Sequence, residues 1–100
     1  MQKYPESIIQ PVSMWNRCLL CGRQVPLEVH HVFGGVANRP KSTEDGLVVH
    51  LCPECHRNGR WAAHRCRNTM IRLRMVGQKA YEKAGHSRQD FIKRYGRNYL

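Results

Sequence analysis

The sequence predicts a small α+β fold, a ββα unit followed by helices, and three observations carry that expectation. Two Cys-x-x-Cys pairs, Cys18/Cys21 and Cys52/Cys55, enclose one mostly apolar stretch. Within it, residues 27–33 and 47–51 are alternating or β-branched and read as two strands. From about residue 68 to residue 84, apolar side chains such as Ile71, Leu73, Met75, Val76 and Ala80 recur at the three- and four-residue spacings of a helix.

One hundred residues make one domain, and a chain this short buries only a modest share of its surface, so a cross-link or a bound metal is the expected supplement. Five cysteines, an odd number containing two close pairs and no signal peptide ahead of them, point to metal rather than disulfides and to a reducing, cytoplasmic setting. Lys and Arg total 17 against 7 acidic residues, a formal net charge of +10. A polyanion is the matching partner, nucleic acid ahead of a lipid surface. No apolar run approaches the roughly 18 residues that span a bilayer, so no membrane segment is expected.

Taken in order, residues 1–17 carry Pro5, Pro11 and scattered apolar positions, and read as an arm that packs on the core through Trp15. Residues 18–64 form the expected stapled ββα core. Cys18-Leu19-Leu20-Cys21-Gly22 reads as a zinc knuckle, because two intervening residues let both sulfurs face one ion while Gly22 lets the backbone turn behind them. Paired with Cys52 and Cys55, it predicts one structural Zn²⁺ held by four thiolates. The first strand should place Leu27, Val29, His31 and Phe33 on one face and Glu28, His30 and Val32 on the other. Gly34-Gly35 ends it, residues 36–46 read as an ordered loop closing on an Asp45-Gly46 turn, and residues 47–51 return as the second strand. Cys52-Pro53 then opens a helix bearing Cys55 and His56, since proline is tolerated in a first turn.

Residues 65–100 read as C-terminal helices. The first ends at Gly85, a residue suited to the left-handed C-cap, and contains Gly77 at a cost of about 1 kcal/mol against alanine. Ser87-x-x-Asp90 is similar to a capping box for a last helix over residues 89–95, docked through Phe91 and Ile92.

Glu28-x-His30-His31, a loop, an apolar strand and then Cys52-x-x-Cys55-His56 resemble the HNH endonucleases of the ββα-metal (His-Me finger) type, in particular their zinc-stapled branch. The short chain and its basic tail over residues 91–100 are similar to small HNH-like proteins encoded by bacteriophages. The likeness spans roughly residues 18–64 and implies a metal-dependent DNA endonuclease or nickase, acting in the cytoplasm of a bacterial host if the chain is phage-encoded. Carried over, it makes His31 the general base and His30 and His56 ligands of a catalytic Mg²⁺ or Mn²⁺, with His64 as a further candidate. That chemistry needs a neutral imidazole to take the proton of the attacking water and a divalent ion to neutralise developing charge. Arg57, Arg60, Arg65, Arg67, Arg72 and Arg74 cluster just after this unit and are expected to contact DNA phosphates, which fix register without reading sequence.

Two positions depart from the family pattern. Its middle Asn falls on Leu47, beside Gly46; Asn38 lies too close to His31, and Asp45 is the better placed substitute, so the bracing role has no assigned residue. Four residues after His56 stands Arg60 rather than another histidine. Plainer readings stand beside the chemical ones. Adjacent histidines on a regular strand point to opposite faces, His56 could serve the structural zinc, residues 61–64 could simply pack, His50 and His86 read as structural or exposed, and Cys66 as a small buried side chain rather than a nucleophile. The competing functions are a zinc-stapled DNA-binding module without catalysis and an accessory protein of a phage DNA-processing machine.

Overall fold

In the computed structural model, which describes residues 6–100, the chain is an α+β domain built on a two-stranded antiparallel sheet. Pro5 and the start of the expected arm lie outside the described residues. Strand β1 (Glu28–His31) pairs with β2 (Val48–Leu51) in the register Glu28↔Leu51, Val29↔His50, His30↔Val49 and His31↔Val48. All four residues of β2 are buried, as expected of a β-branched run covered on both faces. On β1 the expected alternation holds within the paired residues, with His30 buried and Val29 and His31 half-buried. Beyond them it fails: Leu27, Val32 and Phe33 are all buried, because the chain has left the ladder and turned into the core.

The connection between the strands corrects the sequence reading. Residues 36–46 are not a plain loop, since α1 (Arg39–Glu44) lies within them, started by Pro40 in its first turn. A single buried residue, Ser42, faces inward from it, so no apolar period was there to be read. Ser42 closes the mouth of the hairpin. Its hydroxyl donates to Leu47 O (2.5 Å) and accepts from Phe33 N (3.3 Å), while its carbonyl accepts from Leu47 N (2.8 Å). Asp45, the substitute brace suggested by sequence, is engaged elsewhere: its carboxylate accepts from Arg94 Nε (2.6 Å) and Tyr95 Oη (2.5 Å), which ties the end of α1 to the last helix.

After β2 the expected helix is a single π-helical turn (Glu54–Asn58), entered at Pro53. Gly59 makes the wide turn possible. Its N–H donates to Glu54 O across 2.7 Å, and a Cβ at Gly59 would lie 2.7 Å from that same oxygen, so only glycine closes the turn. Helix α2 (Arg67–Lys83) runs unbroken through Gly77. A Cβ at Gly77 would meet Val32 Cγ1 and Phe33 Cε2 at 3.0 Å, so the residue that weakens the helix intrinsically is the one that lets it lie against the end of β1. Helix α3 (Arg88–Tyr95) begins with the expected box. Ser87 Oγ accepts from Asp90 N, and Asp90 accepts in return from Ser87 N.

Phe33 centres the core, its ring 5.3 Å from Phe91, 4.5 Å from Tyr95 and 5.7 Å from Tyr99. The arm docks as expected. Trp15 meets the buried His50 ring edge-on at 5.6 Å, and buried Gln10 accepts from His50 N (2.9 Å). His86 is exposed and stacks on Tyr81. Cys66 is half-buried just before α2, not fully buried as its composition suggested. No helix among the described residues is long and apolar enough to cross a membrane.

Removing the Ser42 hydroxyl takes the partner from the buried Phe33 N–H and leaves Leu47 O with Val32 N alone, so Ser42→Ala should lower the free energy of unfolding by about 1–3 kcal/mol. Urea denaturation measures this, and a loss below about 0.5 kcal/mol would mean that the hydroxyl is not the brace.

Candidate metal centres

The four paired cysteines converge. Gly22, at φ +78°, turns the chain behind Cys21, and Leu19 N donates to His50 O (3.0 Å), which seats the knuckle against β2 immediately before Cys52. The sulfurs of Cys18, Cys21, Cys52 and Cys55 all lie within 4.8 Å of one another, and those of Cys21 and Cys52 are 3.7 Å apart. A disulfide would bring two sulfurs to roughly 2.05 Å. A tetrahedron with Zn–S bonds of about 2.3 Å has edges of roughly 3.8 Å, close to the Cys21–Cys52 separation. Burial pushes the Cys18 thiol up, but backbone N–H groups of Cys52, Cys21 and Leu20 more than offset it and bring the group down to about 7. Burial and the neighbouring thiols push Cys55 up. Crowded thiols resist losing their protons together unless a cation shares their charge, so this group could hold a metal such as zinc.

A second cluster, of nitrogens, sits across the hairpin. His30 from β1, His56 from the π-helical turn and His64 beyond it offer ring nitrogens that lie within 4.8 Å of one another. Their ring centroids are 5.2, 5.2 and 4.6 Å apart. Glu28, two residues before His30, accepts from His56 Nδ1 at 2.7 Å. With Nδ1 donating to the carboxylate, His56 Nε2 lies on the cluster side of the ring, 3.0 Å from His64 Nε2. Adjacent ligands of an ion bound at about 2.1 Å are separated by roughly 3 Å, so the spacing suits a shared cation. The buried His30 ring has neither nitrogen hydrogen-bonded among the described residues. An orphaned buried imidazole beside two convergent ones is the arrangement a metal would satisfy.

Burial and neighbouring charges favour the neutral form of His30, His31 and His64. Burial, then the neighbouring His56, His64, His31 and Arg74, hold His30 down at about 3. His31 is lowered by burial and by Arg39 and His56, and His64 by burial, His56 and Arg57 against the opposing pull of Glu28. In that form each ring keeps one nitrogen with a free lone pair beside one N–H.

His30, His31, His56 and His64 all line one cavity of about 150 Å³, together with Arg39 and Arg57. His31 is not one of the convergent three. It reaches the cavity from the other face of β1, beside Gly34-Gly35. The six arginines do not form one face. Arg57 lies at the histidine cavity, 3.8 Å from Glu28, whereas Arg60 and Arg72 line a different cavity beside the knuckle. Arg65 donates to Asn58 O (2.8 Å) and Arg67 is exposed at the start of α2. Arg74 turns inward, donating to Val32 O (3.3 Å) and Tyr99 Oη (3.2 Å). Sequence reasoning missed two participants, Arg39 and the orienting role of Glu28. The i, i+2 spacing of Glu28 and His30 on one strand face was the available signal for the second.

Comparison of the chain with protein-family models, with curated proteins and with solved structures finds no match in any of the three.

If Glu28 orients His56 for a metal, Glu28→Gln should weaken divalent-ion binding at the histidine cluster by roughly 10- to 100-fold and leave the cysteine site untouched. Titration of zinc-loaded protein with Co²⁺ reads this directly, and unchanged Co²⁺ affinity in the variant would remove Glu28 from the site.

Proposed function

We propose that the protein is a metal-dependent DNA endonuclease or nickase of the HNH type, its ββα-metal core stapled by zinc at Cys18, Cys21, Cys52 and Cys55. The observation that carries this reading is the cluster of His30, His56 and His64 with His31 in the same arginine-flanked cavity. A structural zinc module has no use for a second set of convergent imidazoles, one of them buried without a hydrogen bond. The net charge of +10 supports DNA as the partner.

In this reading His31 accepts the proton of the water that attacks the phosphorus, and its lowered pKa keeps it able to do so. Arg57 and Arg39 hold the phosphate oxygens at the cavity. Glu28 fixes the ring of His56 so that Nε2 faces His30 and His64. A divalent ion on those three nitrogens would neutralise the charge that grows on the leaving oxygen. The sequence suggests Mg²⁺ or Mn²⁺; three imidazoles favour the later first-row ions, Co²⁺, Ni²⁺ or Zn²⁺, over Mg²⁺. The absent middle Asn speaks for the binding-module alternative, but Ser42 already ties the end of β1 to the start of β2 and weakens that objection.

The test is cleavage of supercoiled plasmid by zinc-loaded protein with Mg²⁺, Mn²⁺ or Co²⁺ added. His31→Ala should slow cleavage by roughly 10²- to 10⁴-fold with DNA affinity nearly unchanged. Because the folded pKa of His31 lies below the ordinary value near 6.5, activity should persist as pH falls through that value and be lost only at lower pH, once the ring is protonated. His31→Ala cutting as fast as the parent would remove His31 as base, and a parent inert with every ion would leave the binding module.

A further inference from the structure

Trp61 stands 68% exposed although the next two residues, Ala62 and Ala63, are buried. A large aromatic held in water beside a packed core is uncommon enough to ask what covers it. The Arg60 guanidinium lies over its ring, 5.0 Å from the centroid. Trp61 also forms one wall of a cavity of about 380 Å³, whose other walls include Leu20 of the knuckle, Glu54, Thr69 and Arg72. Leu20 is likewise 45% exposed. The slot therefore has apolar and aromatic walls, one carboxylate, and two arginines at its edge.

A flat, neutral ring carried on a phosphate chain matches those walls. The ring would stack on the indole, the arginines would take the flanking phosphates, and Glu54 would accept from an amino or ring N–H of the base. Bases inside a duplex have their faces already stacked, so the occupant has to be unpaired. An apolar peptide would fill the same volume but gives Arg60 and Arg72 nothing to pair with on a chain of net charge +10. We propose that this cavity is a second nucleic-acid subsite that takes one unpaired nucleobase on Trp61, so that the substrate is DNA carrying a single-stranded segment next to duplex.

The subsite rests on the reading of the protein as a DNA-processing enzyme and narrows its substrate class. The two cavities share a wall. The π-helical turn contributes Glu54 and Cys55 to the tryptophan slot and His56 and Arg57 to the histidine cavity. A base seated on Trp61 would thus set which neighbouring phosphodiester faces the histidines.

The test uses full-length, zinc-loaded protein and fluorescence anisotropy with three labelled DNAs: a blunt duplex, the same duplex with a single-stranded extension, and that extension made abasic. The parent should bind the base-containing extension roughly 5- to 100-fold more tightly than the other two. Trp61→Ala should abolish that preference while leaving blunt-duplex affinity and the melting temperature unchanged, and Trp61→Phe should retain most of it. Equal binding of the base-containing and abasic extensions by the parent would overturn the subsite, as would a Trp61→Ala variant that keeps the preference. Tight binding of all three DNAs with indifference to Trp61 would leave the slot to a protein partner and sink the subsite alone, whereas a parent that binds none of them overturns the nucleic-acid reading as well.

Discussion

Four sulfurs gathered within 4.8 Å of one another are the constraint on which the other geometry depends. One pair precedes β1 and the other follows β2, so an ion between them would clamp the open ends of the hairpin, while Ser42 closes its mouth at the opposite end. A sheet of two four-residue strands is marginal by itself. Structural zinc contributes about 10–16 kcal/mol of apparent binding free energy in small peptides, more than the net stability of most domains of this size. The π-helical turn hangs directly from Cys52 and Cys55, and with it His56. Position at the histidine cluster is thus set by the cysteine cluster one residue away.

The two clusters are opposite in chemistry. Thiols need a cation to surrender their protons, whereas the buried His30 ring is held in its neutral form and has neither nitrogen hydrogen-bonded among the described residues. A buried nitrogen without a hydrogen bond, as in His30, costs roughly 1–3 kcal/mol. The apolar core built by Phe33, Leu73 and the aromatic residues of α3 and the tail offsets a cost of that size. Gly77 belongs to the same bargain. It gives up helix propensity so that α2 can press on Val32 and Phe33, the residues that follow the paired histidines.

What was legible in the sequence was local. Cys-x-x-Cys spacing, the β-branched run of β2, the long period of α2 and the Ser87–Asp90 box each act within a few residues, and each is found where expected. What was hidden was tertiary. Helix α1 has one inward residue and therefore no period; the π-helical turn depends on Gly59 meeting Glu54 O; Asp45 is drawn away by Arg94 and Tyr95 some fifty positions later. Pairing His30 with His56 and His64 required the register of the hairpin, and only then did Glu28 acquire a role. Packing was one reading of residues 61–64, and it holds for Ala62 and Ala63 but not for the exposed Trp61.

Stepwise Co²⁺ loading of metal-free protein distinguishes the two clusters of unlike ligands, each of which could hold an ion. With both clusters occupied, a first equivalent should produce thiolate-to-metal charge transfer, and a second should add weaker ligand-field absorption without more charge transfer, with only the second signal lost in His30→Ala. Saturation at one equivalent, or a second equivalent unaffected by His30→Ala, would contradict it.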